Sequence, residues 1–339
     1  TGCFNVGIGH CTLFCSVTGC SNAAIGNCAL KFNTASCNVA IGRNSQCNNS
    51  EGTNNTSVGS WSLFCNTDGT GNTAIGSAAL CKNTASLSTA VGRSALTANT
   101  TADYNTALGK NAGNAITTGD HNTAIGKDAM DANTVGDRNT AVGSNALTTY
   151  NPSGNEDGYN TAIGMNAMFA TTTGTNNTAV GRDAMTANTT GIQNTASGAY
   201  SMYDNTCGSY NVAYGLNALA NNTTGCANTA IGNKALETNT SGHRNVAIGC
   251  LAGTTMTGSD NTFIGTEAGR YTSSGKCHVA IGRNAMRHNS TGCRNNVIGA
   301  WALYRNTTGT NNTASGYYSL NCNTTGSNNN AVGLFALRC

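Results

Sequence analysis

Cysteine is the residue type with the most chemistry to offer in this 339-residue chain: there are 16, nine of them before residue 82 and none from 82 to 206. Cys3, Cys20 and Cys37 are evenly spaced, seventeen positions apart, and Cys11 and Cys28 share the same spacing. The five histidines are His10, His121, His243, His278 and His288. A zinc site needs paired ligands at short spacing, and no C-x-x-C exists in the chain, so no metal site and no cofactor is expected. The acidic residues are few, 14 in all. No Ser/His/Asp or Cys/His grouping recurs and no glycine-rich loop precedes a helical pattern, so the sequence predicts no enzyme. Thiol oxidation remains. Cysteine at this density fits an oxidising place, outside a cell or on a virion.

The spacing of the cysteines is the period of the whole chain. A phrase such as Asn72-Thr73-Ala74-Ile75-Gly76 returns as Asn122–Gly126 and Asn228–Gly232, and its closing glycine recurs in twenty copies from Gly9 to Gly333. Every step equals that period except three that are one short (26 to 42, 76 to 92, 249 to 265) and one that is four long (143 to 164). With that glycine as position 0, the unit is G-x-x-A-L-x-x-N-T-T-G-x-x-N-T-A-I. The residue before the glycine is aliphatic in seventeen of twenty copies, and position +4 is Leu or Met in sixteen.

A unit of this length is too short for two helices and a turn, and the short Ile/Val/Thr segments suit strands. One unit holds two large apolar side chains and cannot bury them alone; stacking units in register can. The predicted fold is all-β: a parallel β-solenoid of about 20 rungs with a 17-residue repeat, one elongated domain over residues 1–339. Rungs ~4.8 Å apart would give a rod of roughly 95 Å. The expected core rows are Ile75, Ile125 and Ile231 before the glycine and Leu80, Met130 and Leu236 at +4. Glycines at 0 and +10 are expected at bends, where φ > 0 is tolerated. Asn at +7 and +13 is expected to stack as amide ladders.

Residues one unit apart then lie on adjacent rungs, within the ~4.4–6.8 Å Cα separation of a disulfide. Cys3, Cys20, Cys37, Cys11, Cys28 and Cys322 are candidate rung-to-rung cysteines, with free buried thiols as the equal alternative. The chain starts at +9 with Thr1 and stops at +6 with Cys339, so a second copy set head to tail would continue the repeat. Ends without caps and a non-closing heterologous contact are the expectation. Cys322 and Cys339 share column +6 with Cys15, which makes Cys339 to Cys15 the candidate inter-subunit disulfide.

Charged residues are 9% of the chain, with a balance of +3, and show no stripe of the density nucleic acid requires. No apolar window is long enough to span a bilayer, so no membrane insertion is expected. The longer step places an insertion at about 150–159, expected as a tolerated surface loop. Trp61 and Trp301 both fall at +2, and the aromatics read as isolated surface residues or chain contacts. Asn99, Asn188, Asn222 and Asn306 fit the N-x-Ser/Thr acceptor pattern and leave glycosylation open. Small residues such as Ala74, Ala124, Ala179, Ala230 and Ala314 fit either a narrow interior or close lateral approach of another chain.

Asn-Thr-Ala-Ile-Gly followed by x-x-Ala-Leu resembles the head repeat of trimeric autotransporter adhesins, and is similar to strings in phage and virus tail-fibre shafts. The resemblance runs along the whole chain, although those head repeats are shorter and poor in cysteine. It implies a left-handed parallel β-roll, a surface location, adhesion to a glycan or other cell-surface ligand, and association as a trimer. The function expected first is a structural subunit of an extracellular or surface fibre, polymerising head to tail with disulfide cross-links. The alternative is an adhesin or viral tail-fibre segment. Ice binding is remote, because Thr at +14 forms a single column where paired outward Thr rows would be needed.

Overall fold

The computed structural model describes residues 2–154 and 156–338. The chain divides into two compact units, Thr1–Thr175 and Asn176–Cys339. Among the described residues there is no helix, and each unit is a parallel β-solenoid with one strand per turn. In the first unit ten three-residue strands run from Val6–Ile8 to Thr161–Ile163. Each pairs in parallel with the next, as in Thr73↔Thr89, Ala74↔Ala90 and Ile75↔Val91. Register holds across the long step, where Ala141 pairs with Ala162, so the extra residues stay outside the ladder. In the second unit ten strands run from Thr178–Val180 to Asn330–Val332, paired as in Ala230↔Ala247 and Ile231↔Ile248.

Each strand is short enough for its alternation to decide the architecture. Successive residues point to opposite faces, so in Thr73-Ala74-Ile75 the alanine points inward and its neighbours outward. Ala74 is fully buried, whereas Ile75 is 40% exposed. The interior placement expected for Ile75, Ile125 and Ile231 therefore does not hold: Ile231 is 39% exposed and Ile125 is half-buried. Leu80, Met130 and Leu236 are fully buried. The interior is built from alanine at −2 and +3, Leu or Met at +4, and asparagine at +7 and −4 (the position counted above as +13). Ala74, Ala124, Ala179, Ala230 and Ala314 are all buried, so a narrow interior, and not approach by another chain, accounts for their size.

Three residues per turn carry left-handed backbone angles, which are uncommon outside glycine. Ala78, Leu80 and Leu87 have φ of 58°, 50° and 57°. The turns hold them because each amide reaches a neighbouring turn: Ala78 and Leu87 donate to Ser60 and Thr70 at 2.9 Å, and Leu80 donates to Ala95 at 3.0 Å. Backbone hydrogen bonds thus run in both directions along the stack outside the strands as well as within them.

The two recurring glycines have different causes. Gly232 at position 0 has φ of +131°, and a Cβ there would lie 2.6 Å from the carbonyl oxygen of Gly249. Gly208 at +10 has no such angle. A Cβ on it would instead lie 2.5 Å from Asn205 Oδ1 and 2.5 Å from Gly225 O. The bend expected at +10 is replaced by close packing against the asparagines.

Both asparagine columns form ladders. In the first unit Asn66 Nδ2 donates to Asn49 Oδ1 at 2.8 Å and to Gly69 O at 3.0 Å, and Asn55 Nδ2 meets the same Gly69 carbonyl at 2.8 Å. In the second, the Asn211 backbone N–H donates to Asn194 Oδ1 at 3.0 Å, while its Nδ2 donates to Gly225 O at 2.8 Å. Most buried amides find their partners this way, although Asn66 Oδ1 and Asn99 Oδ1 find none, and the bonds tie each turn to the next. Asn99, Asn188, Asn222 and Asn306 are completely buried in the +7 ladder, which rules out glycan attachment in the folded chain. Threonine hydroxyls add a third row, as in Thr100 Oγ1 to Thr117 O at 2.9 Å and Thr223 Oγ1 to Thr240 O at 3.0 Å.

Candidate functional site: an arginine–aromatic surface

The cysteines come together only in part. Cys3 and Cys20 stack on adjacent turns with their sulfurs 2.6 Å apart. Their shared hydrogen bond raises the Cys3 thiol and lowers that of Cys20 from the ordinary value. Cys37 is not the third member of that column. The shortened step shifts it by one place, so Ser36 receives the Cys20 amide at 3.0 Å, and Cys37 donates its own amide to Cys20 O. Cys11 and Cys28 sit on adjacent turns, the Cys28 amide donating to His10 O at 2.9 Å. Cys3, Cys11, Cys15, Cys20, Cys28 and Cys37 are free thiols. Cys322 is exposed; Cys339, the expected partner of Cys15, lies outside the described residues.

The insertion is anchored. Tyr150 occupies a +7 asparagine position and is fully buried, its phenol pushed up to about 12 by burial and by the nearby Glu156 and Asp137 carboxylates. Gly158 donates to Asp137 O at 2.9 Å, and Asp157 pairs with Arg138 and accepts from Tyr159 Oη at 2.9 Å. Asn155 lies outside the described residues.

The arrangement that the sequence reading missed is aromatic. Position +2 is left-handed, with φ of 63° at Trp61, 57° at Tyr200 and 61° at Trp301, and side chains there stand over one another turn by turn. Three times an arginine at +1 lies over an aromatic at +2 of the next turn, beside a second ring at +5. Arg43 lies 5.7 Å from the Trp61 ring, which is 4.5 Å from Phe64. Arg182 lies 4.7 Å from Tyr200, itself 5.7 Å from Tyr203. Arg283 lies 5.6 Å from Trp301, itself 4.9 Å from Tyr304. Arg at +1, then aromatics at +2 and +5 of the following unit, is a signal legible in the sequence once the turn length is known.

The third copy belongs to a larger surface within the second unit, so its aromatics are not isolated. Tyr271 stacks on His288 at 5.1 Å, His288 meets Tyr304 at 4.9 Å, and Trp301 stacks on Tyr318 at 5.8 Å with planes 5° apart. Tyr318 continues to Phe335 at 5.7 Å. Arg287 lies over Tyr271 and Tyr304, donates to Tyr304 Oη at 2.8 Å and pairs with Glu267 at 2.5 Å. Arg338 lies over Tyr318 at 5.2 Å and Phe335 at 5.1 Å. Desolvation, and then the neighbouring arginines, lower the His288 pKa, which favours its neutral form. Such a surface offers flat apolar rings, phenol hydroxyls and guanidinium donors, which bind polar or anionic groups without bond-making chemistry.

A different face carries no charge. Positions −3 and −1 point outward along both units, and none of these residues is charged. Thr stands beside Ile or Val there, a Thr-x-aliphatic pairing and not Thr-x-Thr. No group of His, Cys, Asp or Glu suited to a metal ion occurs among the described residues. No helix is long and apolar enough to cross a membrane.

No protein-family model, no curated protein and no solved structure matches the chain.

Proposed function

We propose that the chain is a structural subunit of an extracellular or surface fibre, in which copies associate side by side through the outward Thr/Ile face. The observation that carries this is the exposed aliphatic column at −1, with Ile163 39%, Ile248 36% and Ile298 46% exposed. Scattered exposed apolar residues are ordinary, but a contiguous row favours an interface. A second copy of this chain is the fitting partner. It carries the same residues at the same turn spacing, so side chains on two copies match in register, and no charge on either face has to be desolvated. The resemblance to adhesin heads favours three chains. Head-to-tail stacking with disulfide cross-links remains part of the proposal for how such a shaft lengthens. Substituting aspartate for the outward isoleucines and weighing the particle tests the lateral contact.

A second reading, a fibre segment that also holds a surface ligand, is favoured by the arginine–aromatic surface around Trp301.

A further inference from the structure

We propose that the surface around Trp301, Tyr304 and Tyr318, with Arg283, Arg287 and Arg338, binds an acidic polysaccharide carrying sulfate or carboxylate groups. The charge distribution is the first argument. Residues 268–339 hold seven Lys and Arg and no Asp or Glu, leaving ten basic against fourteen acidic residues in 1–267. The overall balance of +3 conceals this asymmetry. A local excess of one sign raises the concentration of an oppositely charged partner and steers its approach.

The geometry of the arginines is the second. A guanidinium stacked on a ring keeps its in-plane N–H donors free and pre-oriented, and these donors match sulfate and carboxylate in bidentate fashion. Arg338 lies over two rings and Arg283 over one. Glu267 neutralises Arg287 and Arg270, whereas Arg283 and Arg338 have no ion pair among the described residues. They lie three turns apart, roughly 15 Å at one strand spacing per turn. A ligand that engages both is an extended polymer and not a small anion.

The rings decide between polymers. Single-stranded nucleic acid is held by bases stacking on free aromatic faces. Here the faces of Trp301 and Tyr318 are taken by each other, by Arg283 and by Arg338. These contacts leave the ring edges unengaged, and ring edges suit the hydroxyls of a sugar chain. This site uses columns +1, +2 and +5, and the inference does not depend on lateral assembly through −1 and −3.

The test is isothermal titration calorimetry of the full chain with heparin, which carries sulfate esters, with polygalacturonate, which carries carboxylates, and with single-stranded poly(dT). Binding of either glycan is expected, the one that binds naming the acidic group, and poly(dT) is expected to bind more weakly. The double variant Arg283→Ala/Arg338→Ala should weaken the glycan at least ~10-fold, as loss of charge-assisted contacts does. The charge-matched variant Lys276→Ala/Arg294→Ala should weaken it less than ~2-fold, since it removes only long-range attraction. All four positions are exposed, and circular dichroism checks that the variants fold. Absence of binding to both glycans, equal weakening by the two variants, or tighter binding of poly(dT) than of either glycan would overturn the proposal.

Discussion

The imidazole of His278 stands in the −4 asparagine ladder, its Nε2 2.6 Å from the carbonyl oxygen of Gly292. Its Nδ1 accepts the Asn295 backbone N–H at 3.2 Å, and its own backbone N–H donates to Asn261 Oδ1 at 3.0 Å. The ring is 1% exposed and stands in for an amide: an acceptor on one side, a donor on the other.

That arrangement holds only a neutral ring, because a second proton on Nδ1 would face the Asn295 N–H. Burial lowers the His278 pKa to about 4 from 6.5. Between those values the unfolded chain binds the proton and the folded chain does not, so stability falls as pH drops from about 6.5 towards 4. The full effect is about 3 kcal/mol. Thermal unfolding across this window should show the loss, and His278→Asn, which restores the ladder residue, should reduce its slope. An unchanged slope in His278→Asn would show that other groups carry the acid sensitivity.

Gly232→Ala is expected to destabilise the second unit by about 3 kcal/mol or more, because the added Cβ meets the next turn's carbonyl and the angle is strained for any L side chain. Denaturant unfolding measures this. A cost below about 1 kcal/mol would mean the turn relaxes freely.

The sequence departures inside the core compensate in volume. Phe263 replaces an alanine and is fully buried, and a Cβ on Gly253 or Gly269 would lie 3.0 Å or 2.7 Å from its ring. Phe263→Ala should cost about 3–5 kcal/mol through the cavity it leaves. Gly269→Leu alone should also destabilise, by overpacking. Together they restore the consensus turn, since Gly269 has φ of +59° and Leu80 in the same column has 50°. The double variant should be more stable than either single one; additive losses would contradict the shared-space account.

Cys3 and Cys20 should be the first pair to oxidise. With oxidised glutathione, the Cys20 thiolate attacks the glutathione disulfide and releases one glutathione. Cys3 then displaces the second and closes the Cys3–Cys20 bond. Peptide mapping should find this link and none between Cys20 and Cys37. A dominant Cys20–Cys37 link would contradict the shifted column.

The period, the parallel strands, the asparagine ladders and the Leu row were legible because each follows from repetition alone. The side of the Ile column was not. Two apolar columns suggested two interior rows, yet in Asn228–Gly232 the period of two groups Asn, Ala and Gly on one face and Thr and Ile on the other. With two asparagine ladders and a Leu row already inside, the turn has no room for Ile231. Cys37 was misplaced for a similar reason: an even count along the chain ignores the one-residue shortening between Gly26 and Gly42. The arginine–aromatic surface was hidden because its members, such as Arg283 and Trp301, belong to successive units and meet only when turns stack.

The lateral contact is tested most directly by sedimentation equilibrium of the purified chain beside the Ile231→Asp/Ile248→Asp variant. Both side chains are outward and more than a third exposed, so folding is retained while the face gains charge. The wild-type chain is expected at a multiple of 34.4 kDa and the variant at a lower mass, having lost its lateral neighbours. A wild-type particle of one chain at every concentration, or a variant that keeps the wild-type mass, would contradict assembly through the Thr/Ile face.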